Sequence, residues 1–278
     1  MKILVFGSLN IDRRYIVDHF VQPGETLSSL DVGTFSGGKG LNQAIACKKA
    51  GSDVYMAGKI GKDGAFLLAE LKDADVSTKH VFIDEDMMSG HAIIQVDTNG
   101  QNCIITYGGT NRAITKEEID EVLADFSAGD IILMQNEINS MEYIIEQAHA
   151  KGMLVALNPS PIDDALMNSD LSKVTYFIMN EVEAAKISGK ADVTEAFDEA
   201  VTIQGTVCVN LKAALKDGNP ETDFDPENRN DVDILTMQLG NSMISGRMDD
   251  VEIAVLLCDV CDEAFDSIQS VDPERNIM

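Results

Sequence analysis

A cluster of glycines around one lysine and one asparagine is the segment whose residue types most clearly suit a ligand. Residues 36–44 read Ser-Gly-Gly-Lys-Gly-Leu-Asn-Gln-Ala. With Gly33 they nearly match the phosphate loop GxxxxGK[ST], whose final hydroxyl contacts magnesium. Gly40 stands at that final position and has no hydroxyl, and the residues before it alternate like a strand. We therefore exclude a phosphate loop here.

The same glycine cluster suits a polyol. Consecutive glycines let a hydroxyl-rich ligand lie directly against the main chain. The side chain of Asn42, one turn into the helix that follows, can both donate and accept hydrogen bonds. Taken alone, the segment is explained equally well as a glycine-rich helix start that binds nothing.

Short apolar runs alternate with helix-prone segments along the first 190 residues. This alternation predicts an α/β fold, a doubly wound and mostly parallel sheet with helices on both faces. The predicted strands are 3–6, 54–57, 130–134, 153–157 and 176–179, and the predicted helices are 42–50, 65–72, 116–126, 141–151 and one through 183–185. Residues 26–35 and 91–107 instead alternate polar and apolar side chains, with a turn at Asn99-Gly100, which predicts a small β-sheet beside the main fold.

Composition and charge narrow the class of partner. The 278 residues carry a formal net charge of −26, which opposes binding to nucleic acid and to anionic membranes and favours a small molecule. No apolar run approaches the roughly 20 residues that cross a bilayer. Five scattered cysteines and a start without a signal-peptide pattern predict a soluble, cytoplasmic protein. The single CxxC, Cys258 and Cys261, has no second pair for a metal and is interpreted as two helix positions.

Several further motifs follow the glycine cluster or precede it in a fixed order. They are GSLNID at 7–12, PGET at 23–26, GGKGLNQA at 37–44, GKIGKDG at 58–64, MQNEI at 134–138, LNPSP at 157–161 and NEVE at 180–183. In this order, over about residues 1–190, they resemble the ribokinase-like (PfkB) carbohydrate kinases.

The resemblance implies a ribokinase-like fold and an ATP-dependent transfer. We expect a single domain over 1–278 whose lid strands come from about 13–36 and 88–110. The implied reaction transfers the γ-phosphoryl group of ATP, with Mg²⁺, to a primary hydroxyl of ribose or a related sugar. The implied sugar-binding residues are Asn10, Asp12, Gly38, Lys39, Asn42 and Glu137. Asn180 and Glu183 are implied near the nucleotide phosphates, with Glu183 near the hydrated metal. The exposed edge of the lid sheet predicts a homodimer.

The last third departs from the family. The family carries a Gly-Ala-Gly-Asp segment whose backbone forms an anion hole and whose aspartate is the base, but residues 232–241 read VDILTMQLGN there. The near match at 127–130, Ser-Ala-Gly-Asp, precedes the strand that leads to Glu137 and is in the wrong place. Asp231 and Asp233 lack preceding glycines that would form a phosphate nest. The catalytic residue therefore stays unidentified.

Three interpretations of this departure stay open. The chain is an active sugar kinase, a non-catalytic protein that keeps the sugar pocket, or a kinase whose last third was altered by a reading-frame change. The third interpretation suits the charge of residues 191–278, which hold 20 acidic and 5 basic side chains. In that part residues 218–230 predict a loop and residues 251–265 predict a helix.

Overall fold

A computed structural model describes residues 1–179, 181–190 and the strand at 206–209. The strands are β1 Ile3–Phe6, β2 Asn10–Ile16, β3 Asp31–Gly37, β4 Val54–Gly61, β5 Ser77–Asp84, β6 Gly90–Val96, β7 Asn102–Tyr107, β8 Ile131–Gln135, β9 Leu154–Asn158, β10 Tyr176–Met179 and β11 Thr206–Val209. The α-helices are α1 Lys39–Lys49, α2 Ala65–Asp73, α3 Lys116–Leu123, α4 Met141–Ala150, α5 Asp164–Met167 and α6 Glu181–Ser188.

Seven of these strands form one sheet in the order β11-β10-β9-β8-β1-β4-β5, and each neighbouring pair is parallel. Alternate residues of the central strand β1 point to opposite faces of this sheet. Ile3 and Val5 join a core that includes Leu41 of α1, whereas Leu4 and Phe6 join a second core that includes Ile119 of α3. Helices therefore cover both faces, which explains why the central strands are uninterrupted apolar runs.

The other four strands form a small sheet in the order β3-β2-β6-β7, which we call the lid sheet. Strand β2 begins three residues after β1 ends, so it carries the chain from the large sheet directly into the lid. A hairpin turn joins β6 to β7, where Gly100 donates its N–H to the carbonyl of Asp97 at 3.0 Å and adopts a φ of 78°. The lid sheet thus stands on the segment that follows the central strand.

The predicted fold class, a parallel sheet with helices on both faces and a small second sheet, is confirmed. The strand predicted at 26–35 is partly wrong, because β3 begins only at Asp31. Before it, the chain turns at Gly24, whose φ is 83°, and the imidazole of His19 lies 2.9 Å from the carboxylate of Glu25. Strands β2 and β5 were not among the predicted strands.

The single domain over 1–278 stays a prediction, because most residues beyond 190 lie outside the described part. The loop at 218–230, the helix at 251–265, Asp231, Asp233 and the CxxC at Cys258 and Cys261 lie there as well. Within the residues that are described, no helix is both long and apolar enough to span a membrane.

Candidate functional site

The predicted sugar-binding side chains converge where the central strands of the large sheet end. Strand β1 leads through Ser8 to Asn10, and strand β8 leads to Glu137 two residues after its end. Because β1 and β8 are parallel neighbours, their carboxyl ends lie side by side. Clefts at such carboxyl ends are the usual ligand sites of open α/β sheets.

The glycine cluster begins helix α1 as predicted, and two side chains satisfy its first N–H groups. Lys39 donates its backbone N–H to Glu137 Oε2 at 3.2 Å, and Gly40 donates to Ser8 Oγ at 3.3 Å. The Ser8 hydroxyl in turn donates to Glu137 Oε2. A carboxylate at a helix N-terminus also interacts favourably with the helix dipole. These bonds fix the Glu137 carboxylate against the start of α1.

Two glycines permit the close packing of α1 against the loop after β1. A β-carbon on Gly40 would lie 2.5 Å from the backbone nitrogen of Ser8, so no larger residue fits. Gly38 has a φ of 96°, a backbone conformation that side chains disfavour. Gly38 therefore serves the turn from the lid strand β3 into α1, and its main chain faces the loop that carries Ser8 and Asn10.

Asp12 lies two residues beyond Asn10 on the same face of β2. Burial, and secondarily the nearby negative charge of Glu137, raise the pKa of Asp12 to about 6. Gly37 of the neighbouring strand makes room for this carboxylate, because a β-carbon there would lie 2.0 Å from Asp12 Oδ2. The site thus holds a desolvated carboxyl that can accept a hydrogen bond when it is ionised.

The lysine of the cluster supplies the positive charge of the site. Lys39 Nζ lies 3.9 Å from Glu137 Oε1, and both side chains are about one quarter exposed, at 23% each. Asn42 lies on the first turn of α1, half-buried, and its backbone N–H donates to the Gly38 carbonyl at 3.1 Å. The structure therefore combines two carboxyls, one ammonium and amide groups, a set that suits a ligand with several hydroxyls.

Sequence reasoning gave no role to two residues that shape this site. Ser8 links Glu137 to α1, and the buried Asn111 donates its side-chain N–H to Asn10 Oδ1 at 2.7 Å. Ser8 lies inside the motif GSLNID, where a polar residue directly follows a buried strand. No local pattern marks Asn111, because its partners are brought to it by the fold.

Only part of the predicted nucleotide region falls on described residues. Asn180 lies outside them. Glu183 lies on α6, half-buried, and α6 begins two residues after β10 ends. In the sheet β10 is separated from β8 by one strand, so α6 begins at the same edge of the sheet as Glu137. Among the described residues no group of three or more His, Cys, Asp or Glu side chains could hold a metal by itself.

The near match to the family's catalytic segment has a structural role at the other end of β8. Asp130 Oδ1 accepts the backbone N–H of Lys2 at 2.8 Å, and its Oδ2 accepts that of Ser127 at 3.0 Å. These bonds join the amino ends of β1 and β8. Asp130 therefore lies at the opposite edge of the sheet from Glu137 and takes no part in the candidate site.

Comparisons with known sequences agree with this arrangement. The family model described as pfkB family carbohydrate kinase matches residues 1–210. A ribokinase of Staphylococcus aureus is 36% identical over 193 residues, which cover 68% of this chain and 63% of the relative. A deoxyribokinase of Salmonella typhi is 32% identical over 193 residues, with the same two shares. The matched part thus spans less than two thirds of the length of these curated relatives.

Solved structures show the same fold. A ribokinase of Thermotoga maritima superimposes with a TM-score of 0.68 at 26% identity, covering 93% of this chain and 90% of that one. A ribokinase of Cryptococcus neoformans, in complex with ADP, gives a TM-score of 0.65 at 26% identity, covering 94% of each chain. With the family model matching more than half of its residues, this chain belongs to the pfkB family of carbohydrate kinases.

Proposed function

We propose that the chain binds a sugar such as ribose or a related pentose and transfers the γ-phosphoryl group of ATP to its primary hydroxyl. The observation that carries the proposal is the convergence of Asp12, Glu137 and Lys39 at the carboxyl ends of β1 and β8. The relatives named ribokinase and deoxyribokinase support the substrate class.

In this proposal each polar group of the site has a distinct task. The Asp12 and Glu137 carboxylates accept hydrogen bonds from sugar hydroxyls, and Asn10, Lys39 and Asn42 donate to sugar oxygens. The main chain at Gly38 lies along the sugar. A site built from such bonds rejects analogues that lack the matching hydroxyl, because its buried polar groups would then stay unpaired.

ATP and magnesium belong on the side of α6. Glu183 at that edge fits a hydrated Mg²⁺, which prefers one or two carboxylates together with water and phosphate oxygens. The absence of a ready three-ligand cluster among the described residues agrees with this kind of site, since phosphate oxygens complete the shell. When bound, the metal neutralises charge on the transferred group. We propose Asn180 as the second residue of this region.

A non-catalytic sugar-binding protein is the alternative, favoured by one observation. The sequence lacks the Gly-Ala-Gly-Asp segment, and the family model ends at residue 210. Loss of a general base typically lowers the rate about 10²- to 10⁴-fold, and loss of the anion hole lowers it further.

Two measurements on the full chain separate the kinase from the binding protein. ADP production is followed with ATP, Mg²⁺ and a panel of pentoses and hexoses, and sugar binding is followed by calorimetry. Turnover at an ordinary enzyme rate would exclude the binding-only function. Tight binding of one sugar without turnover would exclude the kinase.

The lid sheet supports a homodimer in this proposal. All six residues of β7 are exposed, and its apolar side chains Ile104, Ile105 and Tyr107 are 47%, 61% and 52% exposed. An exposed apolar edge strand of this kind pairs readily with a second copy of the chain. Sedimentation at micromolar concentration tests this state. We further propose a cytoplasmic location and no nucleic-acid partner, in line with the net charge of −26.

A further inference from the structure

The side chain of Asn111 makes three hydrogen bonds to the loop that leads from β1 into the lid. Its Oδ1 accepts the backbone N–H of Leu9 at 3.1 Å. Its Nδ2 donates to the Leu9 carbonyl at 3.4 Å and to Asn10 Oδ1 at 2.7 Å. Asn111 is 2% exposed, so these bonds do not compete with bulk water. The asparagine is thus fixed at both ends of its amide group.

The two bonds to Leu9 determine which end of the Asn111 amide is which. A backbone N–H can only donate and a carbonyl can only accept, so Oδ1 must face the Leu9 nitrogen and Nδ2 must face the Leu9 oxygen. The usual ambiguity in the orientation of an asparagine amide is therefore removed. The group that Asn111 presents to Asn10 is a donor.

This donor in turn fixes the orientation of Asn10. Because Asn111 Nδ2 donates to it, the carbonyl end of the Asn10 amide faces Asn111. The NH₂ end then points away from Asn111, and Asn10 is half-buried on the same face of β2 as Asp12. Gly90 leaves space for the pair, because a β-carbon there would lie 2.1 Å from Asn111 Nδ2 and 2.4 Å from Asn10 Oδ1.

The backbone around Asn111 joins the lid to the large sheet. Asn139, in the loop that follows Glu137, donates its backbone N–H to the Asn111 carbonyl at 3.1 Å. The preceding residue, Thr110, donates its hydroxyl to the Lys59 carbonyl at 2.8 Å and its N–H to the Met88 carbonyl at 3.1 Å. Asn111 is therefore positioned by β4, by the loop after β8 and by the segment that enters β6.

We propose that Asn111 is a positioning residue that holds the Asn10 amide with its NH₂ group toward the sugar. This inference rests on the proposed sugar-binding function. It adds a specificity rule: the sugar oxygen opposite Asn10 accepts a hydrogen bond there and donates its own proton to a carboxylate of the site. A hydroxyl satisfies both demands, whereas an ether oxygen or a fluorine satisfies only the first.

The first test is Asn111→Asp in the full chain, with D-ribose titrated by calorimetry. A carboxylate at this position still accepts from Leu9 but cannot donate to Asn10, so the Asn10 amide turns its NH₂ group toward residue 111. The pocket then receives a carbonyl oxygen beside the Asp12 carboxylate. We expect the Kd for ribose to rise about 10- to 100-fold. Thr110→Val, a buried change of similar shape in the same turn, should alter the Kd by less than about threefold.

A double-mutant cycle separates positioning from general loss of structure. In an Asn10→Ala background the group that Asn111 orients is gone, so Asn111→Asp should change the remaining affinity by less than about threefold. An equal loss of affinity in both backgrounds would overturn the proposal. So would an Asn111→Asp chain that binds ribose as tightly as the unaltered chain.

A third measurement needs no sugar. Side-chain amide protons are assigned by NMR from the signals that Asn10→Ala and Asn111→Asp remove. In the ligand-free chain we expect the Asn111 NH₂ protons to exchange slowly and the Asn10 NH₂ protons to exchange quickly. The reverse order would overturn the proposal. If no sugar in the panel binds the unaltered chain, the proposed function fails, while this measurement still decides the orientation.

Discussion

Beside the outer strand β5, opposite charges meet, whereas at the carboxyl ends of β1 and β8 like charges are brought together. In the first region, which we call the β5 cluster (Lys79, His80, Asp125 and Phe126), the Lys79 ammonium bonds the Asp125 carboxylate and lowers its pKa. In the second, burial and Glu137 raise the pKa of Asp12 to about 6. The β5 cluster neutralises its own charge, while the candidate site keeps an acceptor whose ionised form is disfavoured until a ligand arrives.

The two regions also respond to acid in opposite directions. The pKa of Asp12 is raised, so the folded chain holds more protons than the unfolded chain between about pH 4 and 6, and stability falls as pH rises through that range. Burial lowers the pKa of His80, so the unfolded chain holds more protons below its ordinary pKa of 6.5, and stability falls as pH falls. Four substitutions test this contrast.

Gly37→Ala should have the largest effect. Its β-carbon would lie 2.0 Å from Asp12 Oδ2, so the carboxylate must leave its position. We expect sugar affinity, measured by calorimetry, to fall about 100-fold. Thr34→Ala, an exposed change on the same strand, is the control and should bind normally. A Gly37→Ala chain that binds as tightly as the control would show that the Asp12 carboxylate is not where the ligand binds.

Asp12→Asn should separate binding from stability. The substitution removes a carboxyl whose ionisation the fold disfavours, and we expect the free energy of unfolding at pH 7.5 to rise by about 2 kcal/mol. Sugar affinity should fall about 10-fold or more, because the amide replaces a charged acceptor. Urea unfolding and calorimetry measure the two quantities. A loss of both stability and affinity would contradict the contrast between the two regions.

Glu137→Gln should shift the titration of Asp12 without abolishing its displacement. Removing the negative charge lowers the pKa of Asp12 below about 6, but burial, the larger cause, still holds it above the ordinary 3.8. Carboxyl ¹³C chemical shifts followed against pH measure this change. An unchanged midpoint would mean that the two carboxyls do not interact.

His80→Asn should have the smallest effect and act in the other region. The ring is 5% exposed, lies 3.4 Å from Asp125 Oδ2 and packs 5.6 Å from the Phe126 ring. Replacing it removes a group that the unfolded chain protonates first, so the loss of stability between pH 6.5 and 5 should become shallower. Thermal unfolding at several pH values measures the slope. Sugar affinity should not change, and a change in it would connect the two regions.

The sequence predicted the parts of the fold that depend on local patterns. Uninterrupted apolar runs between turn signals gave β1, β8 and β9, because strands buried on both faces have this composition. Strand β2 was missed because its seven residues, Asn10–Ile16, include one asparagine, one aspartate and two arginines. Strand β5 was missed because its most buried side chain is the polar His80.

The candidate site was predictable only as far as motifs reach. The ordered motifs indicated Asn10, Asp12, Lys39 and Glu137, and the structure brings these four residues to one edge of the sheet. Ser8 and Asn111 could not be assigned, because the bond from Ser8 to Glu137 spans 129 residues and that from Leu9 to Asn111 spans 102. The raised pKa of Asp12 likewise depends on burial and on a charge that only the fold brings near.

The pH dependence of sugar binding tests the central claim most directly. D-ribose is titrated into the full chain and into Asp12→Asn by calorimetry at pH 5, 6, 7 and 8. Because the pKa of Asp12 is about 6, only about one tenth of the chains carry the ionised acceptor at pH 5. We expect affinity to rise about tenfold from pH 5 to pH 8 with a midpoint near 6, and Asp12→Asn to remove this dependence. Affinity that is independent of pH, or no binding at any pH, would contradict the account.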